Sequence, residues 1–242
     1  MEGQKKRLMV KYIAIGILSV VYIYAAAWLS CKRGYVSLSE LHASNLVQRL
    51  LADCILALLP VVVILIMFRK SLDKLAINRK QPILCTILTA VYLLCFLLRK
   101  DFAIAGGWYR CIFYIVFVAC FEELWARGLM YLQCKPCGRT VAFLISSVLF
   151  GAVHAIVPAV VNGDGLGEMP LSMLTYLDDG LIGGCLFIFL LEMSGTIFVS
   201  ILVHAIMDYA PHPIVFLGTL IGTIVWLVCA RNKEKAFECK NG

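Results

Sequence analysis

Six ionisable side chains sit in apolar runs where a membrane-embedded chain would ordinarily place none. Glu122, Glu123 and Arg127 fall within Cys111–Leu132, His154 lies in the following run, and His204 and Asp208 lie in a third. A charged side chain near the bilayer centre costs about 2.5–3.5 kcal/mol on insertion scales, so such a group marks a functional site by default. Residues at i and i+4 share a helix face. The spacing therefore pairs Glu123 with Arg127, Phe150 with His154, and His204 with Asp208. Glu122 lies about 100° round an α-helix from Glu123, so the two carboxylates need not do the same work. Carboxylates and imidazoles together are the groups that move protons to and from a reacting water.

These groups need a helical scaffold. The chain has 242 residues and is 62% hydrophobic, with a mean hydropathy of +0.89. A soluble domain is nearer half apolar. Long apolar runs in lipid must satisfy their backbone internally, which makes them helices. The expected fold is all-α, a polytopic membrane bundle of about eight segments. They are Leu8–Leu29, Val47–Phe68, Pro82–Leu98, Tyr109–Leu132, Val141–Val161, Leu171–Leu191, Thr196–Ala210 and Pro213–Ala230. A single integral membrane domain over 1–242 is expected, without linker or repeat, and the first segment reads as a retained helix rather than a cleavable leader. At 1.5 Å per residue from each helix's inner end, the polar groups of three helices fall about 15–22 Å deep, close to one level.

Charge orients the bundle. With the N-terminus in the cytoplasm, fourteen basic residues, among them Lys5, Lys6, Arg7, Lys135 and Arg139, fall inside. Six fall outside: Lys32, Arg33, Arg49, Arg99, Lys100 and Arg110. This imbalance favours both termini inside and argues against nucleic acid as the reason for the net charge of +7. Most cysteines read as small hydrophobes, and Cys134 and Cys137 form a lone CxxC pair without a second pair to complete a zinc site. Gly183, Gly184 and Gly195 are read as points of close helix approach. Pro158 should end or kink its helix, and Asp178 and Asp179 read as interfacial caps.

The ordered motifs EELWAR (Glu122 to Arg127), FGAVH (Phe150 to His154) and HAIMD (His204 to Asp208) resemble those of the CPBP family, the CAAX-protease and bacteriocin-processing (ABI) intramembrane proteases. Type II CAAX prenyl endopeptidases are among its members. The resemblance covers about 113–210 and includes the run Ser194 to His204. The third motif departs from the family by ending in Asp208, where asparagine is common. An ionised aspartate only accepts hydrogen bonds, so Asp208 either carries a proton, orients His204 or helps hold a metal.

The resemblance implies an intramembrane endopeptidase. No Ser–His or Cys–His arrangement suggests an acyl-enzyme. Glu122 would be the base, with His154 helping to hold the water; Glu123 would pair with Arg127, and His204 would stabilise the oxyanion with Asp208 in support. No cofactor is favoured. Zinc is the alternative, with Glu122, His154, His204 and Asp208 as candidate ligands, although HExxH is absent. Expected partners are membrane lipid and a peptide or membrane-associated protein substrate, prenylated ones included, with no nucleic acid. The expected location is the bacterial plasma membrane. Two other readings compete: a non-proteolytic bacteriocin-immunity or scaffold protein on the same fold, and a proton-coupled transporter.

Overall fold

The computed structural model describes residues 2–34, 36–103, 106–162, 174 and 176–241. Among them are eight helical segments, the first five joined in turn by short 3₁₀ turns: α1 (Glu2–Lys32), α2 (Leu46–Met67), α3 (Pro82–Arg99), α4 (107–134), α5 (Arg139–Asn162), α6 (Leu177–Ser194), α7 (Ile197–Tyr209) and α8 (Pro213–Asn241). The architecture is an all-α membrane bundle. Five segments are long and apolar enough to cross a bilayer, whereas the apolar stretches of α6 and α7 (Gly180–Ser194 and Ile197–Tyr209) are shorter.

The centre of the bundle is the second half of α4. Every residue from Glu123 to Tyr131 is buried, against α1, α2, α5, α6 and α7. This helix does not keep α geometry. Phe113–Cys120 and Glu123–Tyr131 run as π-helix, and Cys54–Leu58 of α2 does the same. Glu122 sits at the join between the two π runs of α4. Bonding from i to i+5 widens the turn, and such segments are concentrated at functional sites.

Helices α5 and α6 pack closest, and glycine is the reason. A Cβ on Gly180 would lie 2.4 Å from the Ser147 carbonyl oxygen, and one on Gly184 would lie 2.3 Å from Ser147 Oγ. Gly183 has a different role from the one expected. Its added Cβ would meet only ordinary contacts, one of them Arg127 Nη2 at 4.0 Å. Gly195 also differs: it ends α6 at φ 68°, a left-handed turn. Pro158 does not end α5, which continues to Asn162. Residues 163–173 of the connection from α5 to α6 lie outside the described residues, as do the side chains of Asp178 and Asp179.

The turn into α7 is bound to the segment between α2 and α3. The Ile197 N–H donates to the Ala76 carbonyl at 3.0 Å, Thr196 Oγ1 donates to the Asn78 carbonyl at 3.3 Å, and Asn78 Nδ2 donates to the Gly195 carbonyl at 2.9 Å. At the other end of α7, the Tyr209 hydroxyl donates to Asp101 Oδ2 at 2.6 Å. Both ends of the helix that carries His204 are therefore fixed.

Candidate active site

The three motifs converge, and His204 is at the point of convergence. Its Nδ1 lies 2.9 Å from Glu123 Oε1, a charge-assisted hydrogen bond that turns Nε2 the other way. His204 Nε2 then faces Glu122 Oε2 at 3.5 Å and Asp208 Oδ2 at 3.3 Å. The ring stacks on Phe187, with centroids 4.6 Å apart and planes at 19°. Glu123 also pairs with Arg127, Oε1 to Nη1 at 3.3 Å, and both side chains are wholly buried. The Arg127 guanidinium lies between two rings, 4.4 Å from the Phe150 centroid and 5.1 Å from the Phe187 centroid. Such stacking offsets part of the cost of a buried cation.

His154 approaches Glu122 from the α5 side. Its Nδ1 is 3.1 Å from the Phe150 carbonyl oxygen. A carbonyl only accepts, so Nδ1 carries the proton and Nε2 faces Glu122 Oε2 at 3.6 Å. Phe150 positions the histidine a second way, its ring centroid 4.2 Å from that of the imidazole.

Glu122 thus has one carboxylate oxygen between two imidazole Nε2 atoms, each just beyond hydrogen-bond distance, and that oxygen has no hydrogen-bond partner. A proton held among the three groups would relieve the repulsion between an ionised carboxylate and two imidazole lone pairs. The two glutamates also differ in access. Glu122 is 16% exposed and His154 29%, while Glu123 is wholly buried. Glu122 and His154 open onto a cavity of ≈ 220 Å³ whose other walls are mainly Phe113, Phe117, Phe121 and Val153. Asp208, 32% exposed, flanks His204. No group of three or more His, Cys, Asp or Glu among the described residues is disposed to hold a metal ion.

Four residues of this region escape a search for motifs. Phe187 is one apolar residue among many in α6, and only the tertiary structure shows its contacts with His204 and Arg127. The others are Arg49, Asp53 and Tyr109. Arg49 Nε donates to Asp53 Oδ2 at 2.7 Å, the Tyr109 hydroxyl donates to the same oxygen at 2.6 Å, and Arg49 and Asp53 both line the ≈ 220 Å³ cavity. Arg49, counted from the sequence among the outer-side charges, is a buried residue near the start of α2. The sequence does hold a signal here: Arg49 and Asp53 are opposite charges four apart in an apolar segment, the criterion met by Glu123 and Arg127.

Residues 104–210 match the family model for type II CAAX prenyl endopeptidase Rce1-like proteins. That interval contains all three motifs, and Arg49 and Asp53 lie outside it. No curated protein and no solved structure matches the chain.

Proposed function

We propose that this membrane protein, whose residues 104–210 match the Rce1-like CAAX protease family model, is an intramembrane endopeptidase in which Glu122 activates water. The observation that carries the reading is the placement of Glu122 Oε2 between His154 Nε2 and His204 Nε2, beside the cavity. A water there would give a proton to Glu122 as it attacks the peptide carbonyl, with His154 Nε2 accepting a hydrogen bond from that water. His204, oriented by Glu123, would present a protonated Nε2 to the developing oxyanion. The proton then passes from Glu122 to the leaving amine. Glu123 and Arg127 are too buried to meet substrate and fix the position of His204. Asp208 would hold the proton on His204 Nε2 through their contact at 3.3 Å. This route uses only the chain's own groups.

The site would lie within a plasma membrane with both chain ends in the cytoplasm, and its substrate would be the C-terminal peptide of a membrane-bound protein. The test is cleavage of a quenched-fluorescent prenylated peptide with a C-terminal CAAX sequence by purified protein in lipid. Glu122→Gln should abolish cleavage while the variant inserts and melts as the wild type does. Cleavage by Glu122→Gln at the wild-type rate would refute the assignment.

A further inference from the structure

The inner ends of the helices that carry the three motifs meet on one carboxylate the motifs do not include. Glu192 lies in the last turn of α6, just before the Gly195 turn into α7. Its Oε1 accepts the hydroxyl of Tyr131 and lies 2.7 Å from Lys135 Nζ. Its Oε2 accepts from Arg139 Nη2, while Arg139 Nε donates to Oε1 at 3.2 Å. The Glu192 backbone carbonyl accepts from Arg231 Nη2 at 2.6 Å. Tyr131 belongs to the helix of Glu122 and Glu123, Arg139 opens the helix of His154, and α6 leads by a two-residue turn, Gly195 and Thr196, into the helix of His204.

We propose that Glu192 is a positioning residue for the active site, a clamp that sets how the three motif helices stand relative to one another. This rests on the reading of the site given above. The geometry argues against an ordinary surface ion pair. Tyr131 is wholly buried, and its hydroxyl is satisfied by Glu192. Lys135 and Arg139 are 42% and 71% exposed and could turn to solvent, yet both bend onto the same carboxylate. A clamp at the inner ends acts on the site through rigid helices. A shift of about 1 Å in catalytic geometry can lower a rate on the order of 100-fold.

The experiment combines kinetics with a readout that does not need turnover. Glu192→Ala and Glu192→Gln are made in the full chain in lipid and assayed with the same prenylated peptide. In parallel, ¹³C-histidine spectra follow the four histidines. We expect Glu192→Ala to lower kcat by about 10- to 100-fold with little change in KM. Its His154 and His204 resonances should move, while those of His42 and His212 stay. Glu192→Gln, which keeps an acceptor for Tyr131, should retain part of the rate. A Glu192→Ala protein with wild-type kcat and unmoved histidine signals overturns the clamp, as does a loss of rate matched by an equal loss of folded protein. If the wild type cleaves nothing, the histidine spectra alone decide. Moved His154 and His204 signals would keep the clamp while the protease reading fails, and unmoved signals would end it.

Discussion

Glu122 and Glu123 adjoin in sequence and differ in almost every physical respect. Glu123 is wholly buried and shared between Arg127 and His204 Nδ1, whereas Glu122 reaches the cavity. Glu122→Gln and His154→Ala should each reduce peptide cleavage by at least about 100-fold, the range in which general acid–base groups act, with melting temperature unchanged. Glu123 should behave differently. Glu123→Gln leaves Arg127 as an uncompensated buried cation, expected to destabilise the fold by about 3–5 kcal/mol. Adding Arg127→Met should recover most of that loss, and denaturation in mixed detergent micelles measures both variants. A double variant as unstable as the single one would show that the pair is not what couples them. The sequence marked these residues because charge is rare in apolar runs. It could not say which glutamate is exposed, because a difference of one position is resolved only by where neighbouring helices lie.

At the scale of elements, the close approach of α5 and α6 carries Phe187 to the site. Gly180 and Gly184 allow that approach, and they fail differently when replaced. Gly180→Ala meets backbone, the Ser147 carbonyl, which cannot move without its helix. Gly184→Ala meets Ser147 Oγ. Each should destabilise by about 1–3 kcal/mol, as overpacking does. Ser147→Ala should rescue Gly184→Ala and leave Gly180→Ala as it was. Thermal unfolding of the four proteins checks this, and rescue of both or of neither would contradict it. The number of helical segments and the approximate ends of several were legible from hydropathy. The expected Val47–Phe68 is observed as Leu46–Met67, and Pro82–Leu98 as Pro82–Arg99. The π runs of α4 were not legible, since Phe113–Cys120 reads as an ordinary apolar helix and its bonding is set by the neighbours packed on it. Gly195 was read as a contact residue because a glycine's reason for being there does not show in its letter: here it is a φ of 68°.

For the whole molecule, topology and metal content are quantities that experiment reaches directly. Both chain ends should be cytoplasmic, and a reporter fused after Asn162 should lie outside. A cytoplasmic signal from that fusion would reverse the orientation. The purified protein should cleave without stoichiometric zinc and in the presence of chelator; chelator-sensitive cleavage with one zinc per chain would replace the metal-free route. Taken alone, the sequence determined the class of environment, the helical fold and the identity of the ionisable groups, because transfer from water to lipid is a property of each side chain and each run. Distances, access and partners were decided by the tertiary structure. That His204 joins Glu123 and Glu122, that Arg49 lines the cavity, and that Glu192 gathers three helix ends all depend on contacts between residues far apart in the chain. Such contacts are set by how whole helices pack, and no local pattern encodes them.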